Sequence, residues 1–281
     1  MLEIGFHLSI AGGLHRAFDR AERLGCTTFQ IFTGNPRSWR RRPISKDEVR
    51  AFCDRKRLSK VKRCFAHMPY LANFCARGEV YSRSVEMLVE EVRRCERLGV
   101  YGLVIHMGKL KGEVPLKEGL RRIAKALDVA VEASECVILL LENTAGQGTE
   151  VGYRLEHIED VIRICAYPYR IGVCLDTAHA FQAGYPIHTK YGLGEFLEEF
   201  DRRIGLGRLK LVHLNDSRSP FASRVDRHWH IGMGEIGEEG FKTLLSHAVF
   251  RSSPLVMETP WGEGWDRRNI ETVRRLLISS F

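Results

Sequence analysis

No run of about eighteen consecutive apolar residues occurs in the 281-residue chain, so no membrane-spanning helix and no membrane partner are expected. The first residues, Met1-Leu2-Glu3-Ile4-Gly5-Phe6-His7, lack a basic segment followed by an apolar one, so a cytoplasmic rather than a secreted protein is expected. The eight cysteines stand singly, with no Cys-x-x-Cys, which excludes a disulfide framework and a thiolate zinc knuckle. They read as small apolar side chains buried in a reducing compartment, Cys53, Cys64, Cys75, Cys95, Cys165 and Cys174 among them. Gly-x-Ser-x-Gly, Walker and Gly-x-Gly-x-x-Gly patterns are missing as well, which leaves serine-nucleophile, NTP and dinucleotide chemistry without support. Gly146-Gln147-Gly148 is too short to count among them and reads as a turn. Amides are few, a usage expected of a heat-adapted chain when Arg and Glu are abundant.

The composition that remains is that of a globular protein, 44% hydrophobic and 28% charged, in a length usual for one α/β barrel. A net charge of +8 favours an anionic partner such as nucleic acid. Short apolar runs at 4–9, 28–33, 63–67, 102–106, 137–142, 171–176, 209–214 and 255–258 alternate with amphipathic segments such as 14–24, 80–98, 116–134 and 155–164. That is the βα rhythm of a parallel sheet, and Gly25 and Gly99 stand where helices would stop. Eight such units fill residues 1–281 without a linker, so the expectation is a single-domain (β/α)8 TIM barrel with its site at the C-terminal face of the strands. A doubly wound open sheet is the competitor. It would string polar strand ends along a line, whereas a barrel gathers them at one mouth. The intervening loops at 34–43, 68–79, 107–115, 143–152, 178–190 and 215–237 are long enough to carry substrate contacts.

Asp226-Arg227-His228 places a carboxylate and an imidazole two residues apart, so an extended backbone turns both to one side. Asp176-Thr177-Ala178-His179 adds a second pair across a tight turn. With His67, His106, Glu142, His213 and Glu258 at or near the ends of apolar runs, nine candidate metal ligands result. Any one of them could be a hydrogen-bonded structural residue, and Glu142 alone could cap a turn. Nine at one mouth need cations to satisfy them. Imidazoles and carboxylates without thiolate suit Zn2+ or Mn2+ in catalytic sites, about three ligands to an ion, hence about three ions. His15, His157, His188 and His247 are expected to be solvated, while His7 and His230 lie close enough to the mouth to support it. Arg37-Ser38-Trp39-Arg40-Arg41-Arg42 interleaves an aromatic with four arginines and suits phosphate contact.

The runs Leu141-Glu142-Asn143-Thr144-Ala145-Gly146-Gln147-Gly148, Leu175-Asp176-Thr177-Ala178-His179-Ala180-Phe181, His213-Leu214-Asn215-Asp216-Ser217 and Ser223-Arg224-Val225-Asp226-Arg227-His228 resemble endonuclease IV. That family comprises the zinc-dependent apurinic/apyrimidinic endonucleases of base excision repair, and the likeness spans nearly the whole chain. The resemblance implies a TIM barrel with three Zn2+ ions, Mn2+ being the alternative at one or more sites. His67, His106 and Glu142 would hold the first ion. Glu142 would bridge to a second, held also by Asp176, His213 and Glu258, and His179, Asp226 and His228 would hold the third. Glu142 and Glu258 are thereby the catalytic residues expected, as ligands rather than free general bases. The resemblance further implies a monomer that cuts double-stranded DNA 5′ to an abasic site, leaves a 3′-hydroxyl and trims blocked 3′ ends. Arg37, Tyr70 and Leu71 would wedge into the duplex, with Asn35 and Arg227 also on the DNA. Wedging is least costly where a base is missing. Gly34 departs from the lysine that many members carry, so one backbone contact is expected to be lost. The other readings are a sugar isomerase or epimerase of the xylose-isomerase-like barrels, which use one or two ions, and a DNA-binding module with purely structural metals.

Overall fold

Each apolar run forms a strand where its residues can pair on both sides, and each strand stops where the chain turns polar or meets a helix. The computed structural model describes residues 2–278 apart from Lys62, Glu113 and Glu263. In chain order it runs β1 (Ile4–Phe6), α1 (Arg16–Leu24), β2 (Thr28–Ile31), α2 (Lys46–Leu58), β3 (Arg63–His67), α3 (Gly78–Leu98), β4 (Gly102–Ile105), α4 (Leu116–Val131), β5 (Ile138–Glu142) and α5 (Leu155–Ile164). It continues with β6 (Ile171–Asp176), α6 (Thr177–Gln182), α7 (Lys190–Arg203), β7 (Leu209–His213), β8 (Asp216–Ser217), β9 (His228–Trp229), α8 (Gly237–Ser246), α9 (Ala248–Ser252), β10 (Leu255–Met257) and α10 (Trp265–Ile278). All eight expected strands are present, as are the helix stops: Gly25 and Gly99 are left-handed at φ 68° and 61°.

Eight strands pair in parallel in the order β1-β10-β7-β6-β5-β4-β3-β2, a nearly closed barrel. The seam lies between β1 and β2. There Thr27 N–H donates to Ile4 O at 2.8 Å, Leu8 N–H donates to Gln30 O at 2.8 Å, and a parallel bridge joins His7 to Gln30. Gly5 permits that approach, because a Cβ there would stand 1.8 Å from the Thr28 carbonyl oxygen. Inside the barrel Phe65, Val104, Leu140, Cys174, Leu211 and Val256, one from each of β3, β4, β5, β6, β7 and β10, pack into one buried cluster. Such filling makes the interior a core and not a pore. Tyr101 stands edge-on to Phe65 at 5.6 Å and closes the cluster below, with the Arg63 guanidinium 5.2 Å over its ring.

Three local expectations change. The turn expected at Asp176–His179 is the start of α6, since the Asp176 side chain caps it by accepting His179 N–H at 2.8 Å. The long loop after β7 contains an antiparallel ribbon, Asp216 opposite Trp229 and Ser217 opposite His228. Cys53 is only half-buried and Cys136 is exposed, while all eight cysteines are free as expected. Truncating the ring at the base of the inner cluster, Phe65→Ala, is expected to cost about 3–5 kcal/mol. Denaturant unfolding measures this, and a loss below about 1 kcal/mol would mean that the cluster is not a packed layer.

Candidate metal centre

A strand repeats its facing every two residues. Two positions beyond each residue of the inner apolar cluster, therefore, the next layer up the barrel begins. On β3, β4, β5, β6, β7 and β10 the positions after Phe65, Val104, Leu140, Cys174, Leu211 and Val256 are His67, His106, Glu142, Asp176, His213 and Glu258. On β1 and β2, two beyond Gly5 and Thr28, they are His7 and Gln30. Eight strands thus raise one polar layer directly on an apolar one.

Glu142 is the hub. Its Oε2 faces His67 Nε2 at 3.1 Å and His106 Nε2 at 2.8 Å; its Oε1 faces His213 Nδ1 at 3.0 Å and His179 Nδ1 at 3.4 Å. His213 Nδ1 lies 3.2 Å from Glu258 Oε2. His228 Nε2 stands 3.4 Å from Asp176 Oδ2, and Asp226 Oδ1 lies 3.3 Å from His179 Nε2 and 3.6 Å from His228 Nε2. Burial alone would raise the Glu142 carboxyl, yet the imidazoles of His106 and His213 hold it well below the usual range. Burial would likewise lower His179, but Asp176 and Asp226 hold it well above its ordinary value.

The imidazoles are held in fixed tautomers. His67 Nδ1–H donates to Met68 O at 2.7 Å and His179 Nδ1–H to Asn143 O at 2.9 Å, so both rings turn a bare Nε2 inward. His213 Nε2–H donates to Gln30 Oε1 at 2.9 Å, which turns its bare Nδ1 toward Glu142 and Glu258. Asn215 donates from Nδ2 to Asp176 Oδ2 at 2.7 Å and accepts Glu258 N–H at 2.7 Å. His179 Nε2 and His228 Nε2 face each other at 3.4 Å. Lone pairs aimed at each other and at carboxylate oxygens repel unless a proton or a cation lies between them, so this donor set fits divalent ions. Among the described residues three groups, each with its donor atoms within 4.8 Å, could hold one: His67, His106 and Glu142; Glu142, Asp176, His213 and Glu258; and Asp176, His179 and His228. Asp226, expected beside His179 and His228, faces both rings from the rim.

The cavity above, about 480 Å3, is lined by His7, Phe32, Tyr70, Asp226, Arg227 and Pro260 as well as by the histidines. His7 supports the layer as expected, with Nδ1 3.1 Å from Glu258 Oε1. His230 does not: it is buried against Trp265, stacked at 4.0 Å, and pairs with Asn269. Nor are all four remaining histidines solvated. His157 is buried and its Nδ1 accepts Gly152 N–H at 3.1 Å, and His188 packs edge-on to Phe181 at 5.1 Å. Asn35, Arg37 and Arg227 are exposed, Tyr70 is 65% exposed and Leu71 is half-buried. Two of the four loop arginines are paired within the protein. Arg41 is buried on Glu91, whereas Arg42 pairs with Glu48 at 3.1 Å on the surface, so Arg37, Arg40 and Arg42 all face outward. Gln30 is the residue missed. Its position in step with the other strand ends is the signal, but an amide draws less notice than a histidine.

Residues 18–277 match the family described as xylose isomerase-like TIM barrel. The chain is 43% identical over 99% of both lengths to the "Probable endonuclease 4" of Methanosphaerula palustris. It superposes on the endonuclease IV of Thermus thermophilus with a TM-score of 0.88, at 38% identity over 99% of both chains. It shares the fold of a D-tagatose 3-epimerase-like protein at a TM-score of 0.76, with 18% identity over 99% of this chain and 98% of the other.

The raised value of His179 sets a pH prediction. Asp176 and Asp226 make the ring hold a second proton, on Nε2, more tightly than an ordinary imidazole does, and an ion bound by Asp176, His179 and His228 must displace it. Zn2+ affinity is therefore expected to rise with pH from 6 toward 8, by up to about tenfold per unit for each proton released. Titration calorimetry in two buffers of different ionisation enthalpy should register that release; its absence at pH 7 would refute the assignment.

Proposed function

The chain belongs to the endonuclease 4 family of xylose isomerase-like TIM barrels, and on that premise we propose that it is a repair endonuclease acting on abasic sites in double-stranded DNA. It is a metal-dependent nuclease by family. The finer reading is hydrolysis of the phosphodiester 5′ to the lesion, with trimming of ends that carry a 3′ block as a second, separate activity. The water oxygen goes to phosphorus, and the departing 3′ oxygen takes a proton and becomes the hydroxyl. The observation that carries this reading is the layer of ligand-type side chains on six barrel strands with Glu142 at its centre. A sugar isomerase with one or two ions has no use for so many. A single unit spanning residues 1–281 carries the activity, acting as a monomer in the cytoplasm.

His67, His106 and Glu142 would hold one ion, Glu142, Asp176, His213 and Glu258 a second, and His179 and His228 with Asp226 or Asp176 a third, Zn2+ being favoured by the imidazole-rich set. Such ions supply Lewis acidity toward a phosphodiester and make a water-derived nucleophile available near neutral pH. The chain's own residues do the rest. Glu142, with two oxygens on two histidine pairs, fixes the spacing between neighbouring sites. Gln30 Nε2 donates to Glu258 Oε1 at 2.6 Å, which holds that carboxylate and leaves its Oε2 facing His213. Arg227 at the cavity rim and Arg37 on the loop after β2 supply positive charge for the backbone of the duplex, and Tyr70 and Leu71 present an apolar edge to the gap left by the missing base.

Two experiments test this. A duplex oligonucleotide with one abasic site should be nicked on the 5′ side, the activity vanishing with a chelator and returning with added Zn2+. Intact substrate in every lane would sink the proposal. Glu258→Gln keeps the shape but removes a charged donor, and should slow cleavage by at least about 100-fold while the circular dichroism stays unchanged. Full activity would remove Glu258 from the site.

A further inference from the structure

A second set of buried charges lies away from the metal centre, between α3 and the loop at 33–44. Glu91 is 0% exposed, Thr33 2% and Arg94 4%, and the Arg41 side chain is 7% exposed. Thr33 Oγ1–H donates to Glu91 Oε2 at 2.5 Å, and Arg41 pairs with Glu91 Oε1. Arg94 donates from Nε to Thr33 Oγ1 at 2.8 Å, from Nη2 to Thr33 O at 2.5 Å and from Nη1 to Arg42 O at 2.7 Å. Arg97 reaches Ile44 O at 2.9 Å, and the Arg83 guanidinium lies 4.8 Å over the Trp39 ring. Side chains of one helix therefore grip both ends and the middle of the loop. From Glu91 the chain of contacts continues outward. Arg41 Nη1 donates to Asn35 O at 2.8 Å, and Asn35 Oδ1 accepts the backbone N–H of Arg37 at 3.0 Å.

A buried ion cluster is a poor route to stability, since apolar residues of similar volume do as well or better. What such a cluster fixes is geometry, and here it fixes the loop that carries Arg37. We propose that α3 is a clamp on loop 33–44 and that Glu91 is a positioning residue for duplex binding, acting through Arg41 and Asn35 on Arg37. The inference rests on the reading of Arg37 as a DNA contact. A loop ordered beforehand loses less freedom on association, so the clamp acts on affinity and leaves the chemical step alone. Gly34 belongs to the device: a Cβ there would lie 3.1 Å from Arg41 Nη2 and 3.3 Å from Arg94 Nη2, so the missing side chain lets both guanidiniums close on the loop.

Glu91→Gln is expected to raise KM for abasic duplex about tenfold with kcat within about twofold of the parent, and to add little when Arg37 is already Ala. Hydrogen exchange of residues 34–44 in the free protein should quicken in the variant. Should Glu91→Gln fail to fold, the paired change Glu91→Leu with Arg41→Met removes that ion pair as a unit, while Arg94 keeps its bonds to Thr33 and to Arg42 O; the same rise in KM is expected. An unchanged KM, an equal rise in the Arg37→Ala background, or unaltered exchange across the loop would overturn the clamp. If the parent protein does not cut abasic duplex at all, the functional reading fails instead, and the exchange measurement alone decides whether α3 orders the loop.

Discussion

A carboxylate with no access to water, set among imidazoles, is the constraint on which the site depends. Glu142 is 0% exposed and has four imidazole nitrogens within 3.4 Å. An ionised carboxylate in such a place is very costly unless positive charge surrounds it. The imidazoles of His106 and His213 provide it, holding the carboxyl well below its usual range. A bound ion would take over that role, meeting lone pairs on Nε2 of His67 and His106 and on Nδ1 of His213, while His179, whose Nδ1–H is given to Asn143 O, offers Nε2. The rings keep their places in either case, because Met68 and Gln30 hold His67 and His213 by the nitrogen that faces away from Glu142, and Asn143 holds His179 by Nδ1.

The barrel supplies this arrangement through the alternation of a strand. Each inward position is either core or site, and the boundary between them is a single step of two residues on every strand. The inner apolar cluster thus does more than stabilise: it sets the depth at which the ligand layer sits. Closure and chemistry also share a residue. The Gln30 backbone oxygen accepts Leu8 N–H across the seam, while its side chain orients His213 and Glu258. A barrel left open at β1 and β2 would lose the orientation of both ligands.

The strands and most of the residues gathered at the candidate site were legible because the sequence signals are local. Runs such as Val137–Glu142 announce a buried parallel strand, and ionisable residues recurring at the ends of several such runs have few explanations. Less legible was what depends on distant partners. Arg41 and Arg42 read like Arg37 and Arg40 in the sequence, yet Glu91 on α3 withdraws Arg41 from solvent and Glu48 on α2 pairs Arg42 at the surface. His157 and His188 read as surface residues for the same reason, since neither Gly152 nor Phe181 is signalled as a neighbour. Gln30 was hidden because its role comes from register and not from residue type. The α6 turn was misread because Asp176 has two tasks, capping a helix and facing the metal layer, and the sequence suggests only the second.

The similarity of the fold to an epimerase-like barrel shows where specificity must lie. A polar layer at the mouth is open to any substrate with oxygens to offer, sugar or phosphate. What a barrel of this kind accepts is set by how many strands end in ligand-type residues and by the loops above them. This chain ends six strands in ligand-type residues, adds Asp226 and His228 from the long loop after β7, and spends Glu91, Arg94 and Arg41 on fixing the loop after β2. A pocket for a small sugar gains nothing from a rigid basic arm held outside it. A backbone with a phosphate at every step gains both charge and register, so the buried cations beneath that loop argue for a polymer as the substrate.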